Sequence, residues 1–99
     1  MIGFDMNEYK KNLLKWFEFR MFDFCESNNI QNIDFENNDI DDIVDVIKDK
    51  VFNYLTPSAE DYENRNVICG YFAEITSDKK DFERYIKRFL LNYYATPYQ

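Results

Sequence analysis

Apolar residues recur along this chain at helical intervals, most clearly from Asn38 to Leu55, NDIDDIVDVIKDKVFNYL. At ~100° per residue, Ile40, Ile43, Val44, Ile47, Val51, Tyr54 and Leu55 fall on one side of a helical wheel. Asp41, Asp42, Asp45 and Asp49 fall on the opposite side. Asn38 is the expected N-cap, because its side-chain oxygen can accept from a free backbone N–H. Asp39, Asp41 and Asp42 place negative charge at the positive end of the helix dipole. Pro57 ends the helix: it disfavours the helical conformation at Thr56 and cannot continue the hydrogen-bond ladder.

Three further stretches carry the same period. In the first, Asp5 is the expected cap, with Glu8 three residues on completing a capping box. Met6, Tyr9, Leu13, Trp16, Phe17, Met21 and Phe24 share one side of it. Phe19 and Phe22 project away, and the expectation is that other helices or the following loop cover them; a partner or dimer interface is the alternative. A strand at Trp16–Cys25 is disfavoured because the alternation breaks at Met21–Phe22. Ser27 to Asn37 reads as a loop pinned by Ile30, Ile33 and Phe35, with room for a short helical turn. Ser58 to Asp61 resembles a capping box for a third helix. There Tyr62, Cys69, Phe72 and Ala73 share a face while Val67, Ile68, Tyr71 and Ile75 occupy others, so this helix is expected to be the most central. Gly70 either weakens it or permits close packing, and a strand at Val67–Phe72 is the alternative. Ser77 or Asp78 caps the last helix, whose stripe is Phe82, Tyr85, Ile86, Phe89, Leu90 and Tyr93, with Lys80, Arg84, Lys87 and Arg88 opposite.

Composition agrees with helices. The chain has 99 residues, of which 45% are hydrophobic and 19% aromatic, and only two Gly and two Pro. That is one domain with enough apolar material for a core and little turn chemistry for hairpins. The expected fold is an all-α compact bundle of about four helices, over residues 5–28, 38–56, 59–76 and 78–95, within a single helical domain, 1–99.

Charge narrows the function. The formal net charge is −7. Direct binding of nucleic acid or of an anionic membrane surface is disfavoured by repulsion, whereas a basic protein partner is steered in. The charge is also segregated: Glu26 to Glu63 holds eleven acids against two bases, and Ser77 to Gln99 holds three acids against five bases. Cys25 and Cys69 are too few for a disulfide framework and read as small apolar residues. No signal peptide or membrane span is visible, which points to the cytoplasm.

No catalytic set emerges. There is no His to serve as general base, no nucleophile elbow and no Gly-rich phosphate loop. The acids at 34–45 fail as a calcium loop: no Gly follows the third ligand, and Lys48 stands where a bidentate Glu would close a loop begun at Asn37. Asp41 and Asp45 could hold a hydrated Mg²⁺, but solvated acids on an exposed face are the simpler account. No cofactor or metal is expected.

What remains is a surface. Asp41, Asp42, Asp45 and Asp49 extend over about two turns, ~6 Å between neighbours on the i, i+4 row. That interval is broadly similar to the spacing of phosphates along a DNA strand. Like charges one turn apart destabilise a helix, a cost that solubility alone does not require. Asp34, Glu36 and Asp39 extend the acidic face, and Phe52 on its flank has the character of a binding hot spot, with simple cover by another element the equal alternative. The expected function is a non-enzymatic binding protein that blocks a basic nucleic-acid-handling partner by mimicking nucleic-acid charge. In size and acidity it is similar to nuclease inhibitors, anti-CRISPR proteins and toxin-neutralising immunity proteins. The Asn-, Ile- and Lys-rich usage suits an AT-rich genome, as of a low-GC bacterium or its phage. The alternative is an assembly subunit, a homodimer or larger, joining the basic fourth helix of one copy to the acidic second helix of the next. Neutralisation of the aspartates by the chain's own Lys and Arg would remove the docking site.

Overall fold

The computed structural model describes residues 5–58 and 65–95. It is an all-α bundle of four helices: α1 (Met6–Ser27), α2 (Ile40–Leu55), α3 (Arg65–Thr76) and α4 (Lys79–Tyr93). A 3₁₀ turn, Ile30–Asn32, interrupts the connection between α1 and α2. Among the described residues no strand forms, so neither strand alternative is taken up.

The core is built by α1, α2 and α4. Leu13, Phe17, Met21, Phe24 and Cys25 are buried from α1. Ile43, Val44, Ile47, Val51 and Leu55 are buried from α2, and Phe82, Ile86, Phe89 and Leu90 from α4. Each of these larger side chains contributes ~1.5–3 kcal/mol when fully withdrawn from water. Asp41 meets Lys87 while Phe52 meets Phe82, so α2 and α4 run antiparallel. Phe17 packs on Tyr85 and Phe89, and Phe22 on Phe89 and Tyr93, so α1 and α4 run the same way. Arg20 ties α1 to the end of α2. Its guanidinium donates to the Tyr54 carbonyl at 2.8 Å and lies 4.5 Å from the centre of the Tyr54 ring. That satisfies one of the carbonyls a helix end leaves free and adds a cation–π contact.

Three sequence expectations are corrected, and the choice between Ser77 and Asp78 as a cap is decided. The cap of α2 is Asp39, which accepts from the Asp41 amide at 2.8 Å. Asn38 instead donates its side-chain amide to the Asp34 carbonyl. The last helix is capped by Asp78, which accepts from the Asp81 amide, while the Ser77 hydroxyl donates to the Glu74 carbonyl. Nor is α3 the most central helix: of its described residues only Ile75 is buried, and Val67 is exposed. Much of its apolar character is aromatic and is spent at the periphery. Tyr71 leans on Tyr9 and Trp16, and Phe72 on Phe52. Phe19 is 75% exposed, so no described element covers it, whereas Phe22 is partly covered by Phe89 and Tyr93. Met6 is also exposed. The Ser58–Asp61 capping box and Tyr62 fall largely or wholly on residues 59–64, outside the described residues.

Other details follow the pattern. Asp5 accepts from the Asn7 and Glu8 amides at the head of α1. Ile30 is buried, and Ile33 and Phe35 pack on the core. Asn29 adopts the left-handed conformation, φ 54°, which its short polar side chain tolerates. A Cβ added at Gly70 would lie 3.9 Å from the Tyr9 hydroxyl, an ordinary contact. Close packing therefore does not require this glycine.

Three stability outcomes follow for urea unfolding. Leu90→Ala should cost ~2–5 kcal/mol through cavity formation. Asp39→Ala should cost ~1 kcal/mol through loss of the cap. Gly70→Ala should stabilise by ~0.4–1 kcal/mol, because the helix loses less backbone entropy on folding. A destabilised Gly70→Ala would show that α3 needs the bare backbone.

Candidate functional site

The candidate site begins with the rotational setting of α2. With Ile43, Val44, Ile47 and Val51 turned inward, Asp42, Asp45, Val46 and Asp49 must face out, and all four are exposed. Asp42 and Asp49 make no ion pair with a described residue. Seven residues of helix place them ~10.5 Å apart along the axis. Val46 lies between them and is 74% exposed. A shallow dent of about 180 Å³ opens beside it, lined by Ile33, Asn38, Asp42, Ile43, Val46 and Ile47.

The flank toward α4 differs. Asp41 pairs with Lys87 at 3.0 Å, and Asp45 pairs with Lys48 at 2.7 Å. Lys48 also lies 3.9 Å from Glu83. The hydrogen bond that the Lys48 ammonium donates to Asp45 is the main cause holding it above its ordinary pKa. The chain's own lysines thus partly compensate two of the four aspartates. The compensation is shallow, because the Asp41 and Asp45 side chains remain 68% and 71% exposed. Pairs this wet contribute little to stability and leave the carboxylates open to a competing cation.

The remaining acids have local structural work. Asp34 accepts from the Glu36 and Asn37 amides and from the Asn37 side chain, closing the turn ahead of α2. The Asn37 side-chain hydrogen bond is the main cause holding its carboxyl below the ordinary value. Asp39 is the helix cap. Glu36 is exposed and unpaired among the described residues.

Phe52 is half covered rather than free. Its ring packs on Phe72 at 5.1 Å and on Phe82 at 6.1 Å, leaving it 40% exposed. It floors a cavity of about 330 Å³ rimmed by Lys48, Asp49, Lys79 and Glu83. The structure therefore brings Asp42, Asp45 and Asp49 onto one open face, with Asp41 and Phe52 on its α4 flank and Asp34, Glu36 and Asp39 at its N-terminal approach.

Sequence reasoning left Val46 out of both faces of the wheel. Its position one turn from Asp42 and three residues from Asp49 was the available signal. Lys50, one turn beyond Val46, sets a single positive charge at the edge of the face.

Among the described residues no group of three or more His, Cys, Asp or Glu side chains could hold a metal ion. No described helix is long and apolar enough to cross a membrane. Cys25 and Cys69 are free thiols. Burial pushes the Cys25 thiol up to about 11, against a smaller opposing effect of its hydrogen bond with Tyr94. The chain finds no match among family models, curated proteins or solved structures.

Two measurements check this electrostatic picture. Because the folded pKa of Asp34 is depressed, the turn's stabilisation is present above the ordinary carboxylate pKa and is lost as pH falls through the lower folded value. NMR titration should show the Glu36 and Asn37 amides moving together, with a midpoint below ~3.9; a midpoint at or above that value contradicts the bonding described. With a thiol reagent at pH 8, half-buried Cys69 should react first and Cys25 only on unfolding, because a buried un-ionised thiol is a poor nucleophile. The raised Cys25 pKa has the opposite sign of linkage: its contribution to stability holds at neutral pH and falls as pH rises from about 9 toward about 11.

Proposed function

We propose that this protein is a non-enzymatic inhibitor that occupies a basic nucleic-acid-binding groove on another protein with the outward face of α2. The observation that carries this reading is the row Asp42, Asp45 and Asp49 around exposed Val46, with Asp42 and Asp49 unpaired among the described residues. No described residue forms an ion pair with either carboxylate, and Asp49 feels Lys48 only at longer range. Lys and Arg side chains that otherwise grip phosphates would find charges at a similar interval. Val46 supplies a small apolar centre that a partner can desolvate, within an otherwise polar rim. Glu36 and the turn at Asp34 widen the negative field at the helix N-terminus and speed encounter.

Nuclease-type and anti-CRISPR-type targets both fit this reading, since each must hold a polyanion. A toxin neutralised by an immunity protein fits for the same reason where the toxin cuts nucleic acid. Asp41 and Asp45 contribute less than their number suggests, because a partner must first displace Lys87 and Lys48.

The test begins with capture of a binding protein from the native host, followed by quantitative affinity measurements. The Asp42→Asn, Asp45→Asn, Asp49→Asn triple variant should fold and should bind at least tenfold more weakly, mainly through slower association. Duplex DNA should compete with the wild-type protein for the same partner, and the affinity should fall as salt rises. An unchanged affinity in the triple variant, or a partner indifferent to DNA, refutes the proposal.

A further inference from the structure

The α1/α4 side of the molecule carries a trough with charge opposite to that of α2. Two adjoining hollows of about 250 and 230 Å³ share Leu14, Tyr85 and Arg88 and so form one groove. Its floor is apolar, from half-buried Tyr85 and 40% exposed Leu14, and Lys10, Arg84 and Arg88 stand at its edge. Of its acids, Asp81 pairs with Arg84 at 3.2 Å, while Glu18 accepts from the Tyr93 hydroxyl at 2.8 Å and keeps its charge, so three bases against two acids leave the lining one net positive charge. Lys10 and Arg88 have no ion pair among the described residues.

We propose that this groove docks the outward face of α2 of a second copy, joining copies head to tail. The match is in charge, shape and length. Asp42 and Asp49 are the unpaired acids of one face, and Lys10 and Arg88 the unpaired bases of the other. Val46 would sit on Leu14 and Tyr85 between them. The acidic row spans seven residues, ~10.5 Å of helix, and the groove runs along α1 from Lys10 to Glu18, ~12 Å. Helix α4 separates the two surfaces: its Lys87 and Glu83 face α2, and its Tyr85 and Arg88 face the groove. One copy can therefore use both at once, and such a contact is heterologous and extends from copy to copy. Self-association would cover the acidic face until a basic partner takes it, which goes beyond the inhibitory reading and does not depend on it.

Net repulsion between copies of charge −7 sets an unusual salt dependence. At about 0.01 M salt the Debye length is ~30 Å and whole-molecule repulsion acts; at about 1 M it is ~3 Å and the local pairs are lost. Association should therefore be strongest near ~0.1 M, where only close charges are felt. Sedimentation equilibrium on the full chain at these three salts should show a mass above 12.1 kDa that is largest at the middle one. Lys10→Gln with Arg88→Gln should abolish association, and so should Asp42→Asn with Asp49→Asn. Mixed together, these two variants should form a dimer that grows no further, because each keeps one intact surface. A wild-type protein that stays monomeric near ~0.1 M salt up to about 1 mM, variants that still associate, or a mixture that stays monomeric would each overturn the proposal. The groove variant retains the acidic face, so its affinity for a basic partner reports separately on the inhibitory function.

Discussion

Burial of one side of α2 against α4 fixes everything the surface can do. Ile43, Ile47 and Val51 are withdrawn from water together with Ile86 and Leu90. A helix whose stripe is held in this way cannot turn about its axis without exposing several large aliphatic side chains, each worth ~1.5–3 kcal/mol. The outward direction of Asp42, Asp45 and Asp49 is the other half of the same constraint. The acids face water because the core leaves them nowhere else to go. Arg20 reinforces the setting from α1 by holding the last turn of α2 through the Tyr54 carbonyl and ring.

Within that frame the aspartates divide by position. Asp41 turns toward α4 and is partly compensated by its Lys87, and Asp45 is partly compensated by Lys48 of α2 itself. Asp42 and Asp49 form no ion pair within the described chain. Residues 34–39 put their acids to structural use before any partner arrives, as a turn at Asp34 and a cap at Asp39. One acidic composition thus serves three purposes, and of the acids from Asp34 to Asp49 only Asp42, Asp49 and Glu36 have neither an ion pair nor a turn or cap hydrogen bond among the described residues. The basic side of α4 divides likewise. Lys87 serves the bundle, while Arg88 is left at the edge of the α1/α4 groove.

The helical pattern of the sequence was enough for the bundle and for the stripes of α2 and α4. In α2 the apolar and acidic faces are cleanly opposed, so period alone determines which residues are inside. The outward placement of the acids was legible to the same extent, since exposure follows from the wheel. Pairing did not: Lys87 is remote in sequence from Asp41, and only the antiparallel packing of α4 on α2 brings them together. The place of α3 was misjudged for a different reason. Apolar residues all round suggested a central helix, but Tyr71 and Phe72 are satisfied by ring contacts at the bundle's edge without full burial. The N-cap shifted by one residue because Asn38 and Asp39 can each cap, and the Asp34 carbonyl takes the Asn38 side chain. Val46 was passed over because a single exposed valine carries no period.

The central claim is a two-signed surface whose negative lobe is the outward face of α2. Per-residue near-surface potentials, from paramagnetic relaxation by cationic and anionic cosolutes of equal size, test it most directly. The account predicts strong enrichment of the cationic cosolute around Asp42, Val46 and Asp49, weaker enrichment around Asp41, and enrichment of the anionic one around Lys10 and Arg88. A uniform negative potential over the whole molecule, or none at Asp42 and Asp49, would contradict it.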